Sequence, residues 1–316
     1  MWYILAYLLP LLLIIFSGNI FINYIKKINF GQQVRDYGPE SHLKKAGIPT
    51  MGGLLIISAF LFFSMSLLHL NIEIIAILLT TLIMALTGFL DDFLKIKFER
   101  SLGLRAWQKI ILQIAAAAVT SVVAVFVVNQ HSILLPFYAS YNLGAVTKFI
   151  LSFIVVIGSS NAVNLTDGLD GLAAGITTVV TLAFALLFYL LNLPEYSFLM
   201  LIMAGSTTAF LWYNANPASV FMGDVGSLAI GAFLGAAAVF TAAELYLLII
   251  GGIYVIETLS VMIQVPYYKI TGGKRVFKMT PIHHHFELTG LPENKIVFRF
   301  VIITIILSLF ALLSIL

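Results

Sequence analysis

Residues 146–192 read VTKFILSFIVVIGSSNAVNLTDGLDGLAAGITTVVTLAFALLFYLLN, a polar segment between two apolar ones. Each apolar part has about 20 residues, the length that an α-helix needs to cross the hydrocarbon core of a bilayer. The polar part, residues 164–171, contains two carboxylates and two glycines. The stretch therefore predicts two membrane-spanning helices joined by a short polar loop.

The composition of the whole chain indicates the same environment. Of its 316 residues, 61% are hydrophobic and 10% are charged, and the mean hydropathy is +1.05. Soluble domains have about 45–50% apolar and about 25% charged residues, so a water-soluble fold is excluded. The chain has no cysteine, which excludes disulfides and thiolate metal sites. The first apolar segment has no basic region at its start, so we expect a retained span and not a removable signal peptide.

The apolar segments predict an all-α polytopic membrane protein with about ten transmembrane helices. Because the links between them are short, residues 1–316 are predicted to form a single integral-membrane domain. The link from His131 to Asn142 is expected to form a small hairpin, and the eighth segment, rich in glycine and alanine, a central helix. The predicted spans are residues 2–25, 51–70, 73–90, 108–128, 146–163, 172–192, 197–213, 226–240, 246–265 and 297–315.

Basic residues divide the links between these spans unequally. Of the 17 lysines and arginines, Lys148 lies on one side and all the others lie on the opposite side. Cytoplasmic loops carry the excess of Lys and Arg, so both termini are predicted to be extracytoplasmic. Most acids and three consecutive histidines share the cytoplasmic side, which predicts an active site in the cytoplasmic loops. A transporter would instead carry ionisable groups at the bilayer midplane, where the sequence offers chiefly Glu257.

The first polar cluster, DDFLK at 91–95, closes the third apolar segment. In a helix, Asp91 and Lys95 lie one turn apart on one face, and Asp92 points about 100° away. Adjacent carboxylates attract a hard divalent cation or remove an acidic proton. A solvated helix end with an ion pair is the alternative interpretation.

The second cluster, NAVNLTDGLDG at 161–171, places Asn164, Asp167 and Asp170 at a spacing of three. Its glycines permit tight turns near a ligand, so the segment could present backbone donors and carboxylates to a nucleotide. The alternative is a capped turn between two helices. One acid can serve as the cap, whereas an asparagine and two acids exceed that need.

The third cluster comprises NANP at 214–217 and FMGDVGS at 221–227. Asp224 is expected to open the eighth helix, where the helix dipole favours anions, although capping alone explains it equally well. With two other acid clusters on the same face, a shared Mg²⁺ that bridges pyrophosphate oxygens is the more economical interpretation. Phe221 could stack on a base or anchor at the interface.

The fourth cluster is PIHHHFE at 281–287. Three consecutive histidines cannot all face one site in regular structure, and they could bind phosphates, bind zinc or lie at the interface. Lys44 belongs to a basic loop that could bind phosphate or anionic lipid. Glu257 is costly in lipid unless it is paired, so we expect it to be buried against a partner, with a structural or gating role.

In this order, the four clusters resemble the motifs of the polyprenyl-phosphate N-acetylhexosamine 1-phosphate transferase superfamily. The resemblance covers essentially the whole chain, and SHLKKAGIPTMGG at 41–53 belongs to it. The segment PIHHHFE is the most discriminating, because relatives that transfer N-acetylglucosamine phosphate generally differ there. It implies the branch that transfers phospho-N-acetylmuramoyl-pentapeptide.

The resemblance implies UDP-N-acetylmuramoyl-pentapeptide as donor, undecaprenyl phosphate as acceptor, and lipid I and UMP as products. It also implies Mg²⁺ as cofactor, membrane lipids as surroundings, a homodimer, no nucleic-acid partner and a multi-pass location in the bacterial inner (cytoplasmic) membrane. The sister transferase that uses UDP-N-acetylglucosamine is the nearest alternative, and a lipid or ion transporter is a remote one.

Residue roles follow from the same resemblance. Asp224 is the leading Mg²⁺ ligand, and Asp91 and Asp92 lie near it. We expect direct displacement by the acceptor phosphate with Asp91 as base, and a covalent aspartyl intermediate is the rival scheme. The remaining predicted catalytic residues handle phosphates: Lys95, His283 and His284. The predicted substrate-binding residues are Asn164, Asp167, Gly168, Leu169, Asp170, Asn214, Phe221, Lys44 and His285.

Overall fold

The computed structural model describes residues 1–27, 47–98 and 103–315. Within these ranges the chain forms a bundle of α-helices with one short two-stranded hairpin. The helices are α1 Trp2–Lys27, α2 Gly53–Leu67, α3 Ile72–Lys97, α4 Ala106–Val122, α5 Ala145–Thr166, α6 Leu172–Leu190, α7 Pro194–Asn214, α8 Gly223–Phe240, α9 Glu244–Ile250, α10 Gly252–Ile270, α11 Ile282–Glu287 and α12 Glu293–Leu312. A π-turn, Val123–Val127, extends α4, and the strands are β1 Ser132–Leu134 and β2 Ser140–Asn142.

Each predicted span coincides with helical structure, and the all-α membrane architecture is confirmed. In the described ranges, eight helices are long and apolar enough to cross a membrane, and the pair α9 and α10 would make a ninth span if counted together. Helix α2 is apolar but has only 15 residues. The count of ten and the orientation of the termini therefore stay predictions.

The ninth predicted span, 246–265, is not one straight helix. Helices α9 and α10 meet at an angle of 83°. The break falls at Gly251 and Gly252, and glycine has the lowest helix propensity after proline. The Leu307 side chain of α12 lies 2.7 Å from where a Cβ on Gly252 would stand. Packing against α12 thus occupies the space that a larger residue would need.

Helix α8 is the centre of the bundle, as its small residues predict. Of its 18 residues, 89% are buried, and it packs chiefly against α3 and α5. A Cβ on Gly231 would lie 2.3 Å from the Ser159 carbonyl of α5, so only glycine permits this approach. The Ser159 hydroxyl donates to the Gly231 carbonyl at 2.7 Å. Because α8 is central, its first turn, which contains Asp224, lies inside one end of the bundle.

The predicted hairpin is confirmed: β1 pairs antiparallel with β2, and Ser132 lies opposite Asn142. A buried ion pair fastens it. Lys148 Nζ donates to the Ser132 carbonyl at 2.8 Å and to the carboxylate of Glu244. The two side chains are 0% and 2% exposed. The one basic residue predicted for the far side of the membrane is therefore paired and buried.

Replacing Glu244 by Ala should strongly destabilise the fold, because it leaves the Lys148 ammonium buried without a counter-charge. Removal of one partner from a buried pair costs about 3–5 kcal/mol. Thermal unfolding of purified protein in detergent measures the loss. The double variant Lys148→Met/Glu244→Leu, which removes both charges, should recover most of the stability. A double variant as unstable as the single one would contradict this account.

Candidate active site

The acidic cluster forms where the last turns of α3 meet the first turn of α8. A Cβ on Gly88 would lie 2.2 Å from the Asp224 carbonyl oxygen, so the two backbones touch at this point. Suitable oxygens of Asp91, Asp92 and Asp224 all lie within 4.8 Å of one another. Asp91 and Asp92 are 3% and 4% exposed. This helix end is therefore not solvated, although the ion pair that the alternative interpretation included does form between Asp91 and Lys95.

Two lysines hold these carboxylates together. Lys95 Nζ lies 2.6 Å from Asp91 Oδ2, 3.4 Å from Asp92 Oδ1 and 3.3 Å from Asp224 Oδ2. Lys109 Nζ, from the first turn of α4, lies 2.7 Å from Asp224 Oδ2 and 3.7 Å from Asp91 Oδ1. The three carboxyl groups therefore present closely spaced oxygen ligands, which suit an additional hard cation.

Uncharged groups donate further hydrogen bonds to the carboxylates. The Asn164 side-chain amide donates to Asp224 Oδ1 at 2.9 Å and to the Ser227 hydroxyl at 2.9 Å. The backbone N–H of Val225 donates to Asp92 Oδ2 at 3.2 Å, and that of Leu104 donates to Asp91 Oδ1 at 2.9 Å. Asn164 is thus brought from the second sequence cluster into direct contact with the third.

Gly223 lets the backbone pass beneath the carboxylates. Its φ is +76°, a conformation that other residues rarely adopt. A Cβ here would lie 2.6 Å from Asp92 Oδ2 and 2.9 Å from Thr50 Oγ1. The segment after residue 47 is joined to the same turn, because the N–H groups of Gly52 and Gly53 donate to the carbonyls of Phe221 and Met222, each at 2.8 Å.

Asp167 faces this acidic centre from the loop between α5 and α6. Burial, together with the charges of Asp224 and Asp92, raises the pKa of Asp167 to about 8. A backbone hydrogen bond from Gly223 opposes the shift. The raised pKa favours the protonated carboxyl, which can donate a hydrogen bond.

Asp170 and Asn214 fasten the two loops beside the centre to each other. Asp170 Oδ2 accepts hydrogen bonds from the Asn216 side chain at 3.1 Å and from the Ala218 N–H at 3.0 Å. Asn214 Oδ1 accepts from the Gly171 N–H at 3.1 Å, and its amide donates to the Val220 carbonyl at 2.9 Å. Asp170 does not cap α6, which Gly171 precedes without a side-chain cap.

The other residues predicted to bind substrate differ in their surroundings. Leu169 is buried at 4% exposure and belongs to the apolar core. The Phe221 side chain is half-buried, and its backbone N–H donates to the Pro49 carbonyl at 2.8 Å. Lys44 lies outside the described residues, so its assignment to substrate stays a prediction.

The three consecutive histidines lie on the short helix α11 and have three separate environments, as the sequence predicts. His283 Nδ1 lies 3.0 Å from Glu257 Oε1, and both side chains are 0% exposed. His284 Nδ1 lies 2.7 Å from Glu287 Oε2. His285 Nδ1 accepts from the Lys278 N–H at 3.1 Å. The expectation that Glu257 is buried against a partner is confirmed.

His283 lies against the loop of Asp167 and Asp170, because Gly168 leaves room for its ring. His285 lies against the loop before α11, and its ring packs on Phe277 with centroids 5.9 Å apart. The structure thus brings His283 to the second cluster and turns His285 toward another part of the surface.

Lys109 is the residue of the acidic centre that the sequence motifs do not indicate. It lies 14 positions beyond Lys95, in the first turn of the next helix, and no motif includes it. The available signal is its type and place: a lysine at the predicted cytoplasmic start of an apolar span. That signal is shared by several other lysines, so only the contact with Asp224 singles it out.

This fold and site define a class: a polytopic membrane protein with a buried centre of carboxylates and lysines, suited to anionic phosphate substrates and a divalent cation. The family model for glycosyl transferase family 4 matches residues 74–242. Signature 1 of phospho-N-acetylmuramoyl-pentapeptide-transferase matches residues 45–57.

Similar proteins cover nearly the whole chain. A phospho-N-acetylmuramoyl-pentapeptide-transferase of Desulforamulus reducens is 45% identical over 94% of this chain and 91% of its own length. One from a Thermoanaerobacter species is 45% identical over 96% and 95%, and one from Francisella philomiragia is 44% identical over 96% and 90%. The chain belongs to the phospho-N-acetylmuramoyl-pentapeptide-transferase family.

Replacing Gly223 by Ala should destabilise the protein more than the same change at Gly272. Both glycines have a positive φ, but a Cβ on Gly272 meets nothing within 4 Å. Gly272→Ala should cost only backbone strain, about 1–2 kcal/mol. Gly223→Ala should cost about 1–3 kcal/mol more, because the methyl group meets Asp92 and Thr50. Parallel denaturant unfolding curves compare them, and equal losses would show that residue 223 is not tightly packed.

Proposed function

We propose that this protein transfers phospho-N-acetylmuramoyl-pentapeptide from UDP-N-acetylmuramoyl-pentapeptide to undecaprenyl phosphate, giving lipid I and UMP in peptidoglycan synthesis. The observation that carries the proposal is the meeting of Asp91, Asp92 and Asp224 with Lys95 and Lys109 at one end of a membrane helix bundle. Membership of the family supports the choice of this donor and acceptor over others.

The charges of the reactants explain why the site needs both lysines and carboxylates. The acceptor phosphate and the donor diphosphate are both anionic, so their approach requires cationic groups already fixed in place. The ammonium groups of Lys95 and Lys109 meet this need, because their carboxylate partners hold them at defined positions. When phosphates bind, the lysines can exchange carboxylate contacts for phosphate contacts without moving far.

The donor set of the centre fits Mg²⁺. Three carboxylates whose oxygens lie within 4.8 Å of one another are hard oxygen ligands. We assign Asp224 as the principal ligand, because it faces the centre from α8, with Asp91 and Asp92 beside it. When bound, Mg²⁺ supplies further neutralisation of the pyrophosphate oxygens.

We favour direct displacement. An oxygen of the acceptor phosphate forms a bond to the donor phosphorus that bears the sugar, and the bond from that phosphorus to the bridging oxygen breaks. UMP leaves with the electron pair of that bond, and Lys95 and Lys109 stabilise the charge that develops. Asp91 takes the remaining proton of the acceptor phosphate. Lys95 and the Leu104 N–H orient the Asp91 side chain within the centre.

The loops beside the acidic centre would form the uridine pocket. The hydrogen bonds of Asp170 and Asn214 join the segment 167–171 to the segment 214–222. Such a prearranged wall reduces the entropy cost of nucleotide binding. The half-buried ring of Phe221 is available for stacking on the base. The lipid acceptor reaches the centre from the bacterial inner membrane, and we expect a homodimer.

The decisive test measures UMP release by purified protein with undecaprenyl phosphate and Mg²⁺. UDP-N-acetylmuramoyl-pentapeptide should support release, and UDP-N-acetylglucosamine should not. The reverse preference would assign the sister reaction, and no release with either donor would contradict transferase activity. Asp224→Ala should abolish release and Mn²⁺ binding measured by electron paramagnetic resonance. Glu195→Ala, at the opposite end of the bundle, is the control and should retain both.

Lys109→Met should reduce kcat by about 10²–10³-fold, the usual cost of removing one group that stabilises transition-state charge. The methionine keeps the length of the side chain and removes only the ammonium group that lies 2.7 Å from Asp224. Lys97→Met is the matched control, since Lys97 is exposed near the same end of α3 and lies over the Phe98 ring at 5.8 Å. Equal kcat values for the two variants would remove Lys109 from the mechanism.

A further inference from the structure

Three segments that are distant in sequence meet at His283. Glu257 comes from α10, His283 from α11 and Gly168 from the loop between α5 and α6. The two ionisable side chains are both 0% exposed. This meeting point lies beside the acidic centre, because Asp167 adjoins Gly168.

Glu257 contacts one ring nitrogen of His283. A carboxylate accepts hydrogen bonds, so the 3.0 Å contact between His283 Nδ1 and Glu257 Oε1 fits a proton on Nδ1. A proton on Nδ1 leaves Nε2 of the neutral ring as an acceptor. The same hydrogen bond sets the orientation of the ring, since a rotated ring would lose a partner in a buried place.

The Nε2 edge of the ring faces the loop of the second sequence cluster. A Cβ on Gly168 would lie 2.2 Å from His283 Nε2 and 2.7 Å from Cε1. Only glycine lets the backbone approach the ring this closely. The position of the His283 ring therefore limits where the backbone between Asp167 and Asp170 can lie.

Two atoms of the pair are incompletely satisfied. Among the described residues, His283 Nε2 and Glu257 Oε2 are buried and have no hydrogen-bond partner. Buried polar atoms are rarely left so, and they generally mark a functional constraint or a bound polar group. Apolar side chains can often replace a buried pair without loss of stability, so packing alone does not require a glutamate and a histidine here.

We propose that Glu257 is a positioning residue for the nucleotide pocket and acts through His283. It holds the ring in one tautomer and one orientation, and the ring supports Gly168 and the loop that carries Asp167 and Asp170. The proposal rests on the proposed function only in taking this loop as the place where the uridine nucleotide of the donor binds. It gives His283 a supporting role in place of the phosphate contact that the sequence suggests.

The test compares Glu257→Leu, Glu257→Gln, Gly168→Ala and the double variant Glu257→Leu/Gly168→Ala. Glu244→Gln is the control, because it removes a buried carboxylate at the other end of the bundle. Three quantities are measured for each protein: the Kd of UMP by titration calorimetry, the KM and kcat for the donor, and the melting temperature. The ¹⁵N spectrum of labelled histidine reports which ring nitrogen of His283 carries the proton.

We expect Glu257→Leu to raise the Kd of UMP and the KM of the donor by about 10-fold, the scale seen when a group that orients another side chain is lost. The change in kcat should be smaller. Glu257→Gln keeps a hydrogen-bond partner and should recover part of the affinity. Gly168→Ala should weaken UMP similarly, and the double variant should lose less than the product of the single effects, because both act through one ring. Wild-type His283 should carry its proton on Nδ1.

A proton on Nε2 in the wild type, or an unchanged Kd of UMP in Glu257→Leu, would overturn the proposal. The Glu244→Gln control should have a lower melting temperature and an unchanged Kd of UMP. The same pattern in Glu257→Leu would also overturn the proposal. Failure of the proposed function has a different signature. In that case the wild type releases no UMP from the donor, whereas the histidine spectrum and the UMP titrations still decide the role of Glu257.

Discussion

Lys95 and Lys109 hold three carboxylates together inside a helix bundle, and the arrangement of the functional end depends on this charge pairing. A buried carboxylate without a partner costs several kcal/mol, so the helices that carry these groups have to meet. The last turns of α3, the first turn of α4 and the first turn of α8 therefore converge on Asp224. Gly88 and Gly223 permit this convergence, because a side chain at position 88 would collide with the Asp224 backbone and one at position 223 with the Asp92 side chain.

The same constraint acts at two other places in the fold. Lys148 and Glu244 pair at the far end and fasten the hairpin to α5 and α9. Glu257 and His283 pair beside the centre and connect α10 and α11 to the loop at Gly168. Each pairing joins segments that are far apart in sequence. In a protein whose outer surface is apolar, paired polar groups supply the specificity that the hydrophobic effect between helices does not.

The proposed function depends on the paired charges exchanging their contacts with each other for contacts with a cation and with substrate phosphates. In the proposed function, the carboxylates that hold the lysines would also offer oxygen ligands to a divalent cation, and the lysines would turn to phosphate oxygens of the substrate. The loops beside the centre are joined to each other by hydrogen bonds of Asp170 and Asn214. A site of this kind stabilises developing charge with groups that need little rearrangement, which suits phosphoryl transfer between two anionic lipid and nucleotide partners.

The sequence by itself determined the membrane class, the approximate spans, the central place of α8 and the four polar clusters. These properties depend on local composition and on the length of apolar runs, which a single segment displays without its neighbours. Only the tertiary structure decided that Lys109 belongs to the centre, that Glu257 pairs with His283 and that the ninth span bends at Gly251. Those features depend on contacts between distant residues; the contacts of Lys109, for example, reach 18 positions to Asp91 and 115 positions to Asp224. No local pattern encodes such contacts, because they arise when buried charges and backbones from separate helices find one another.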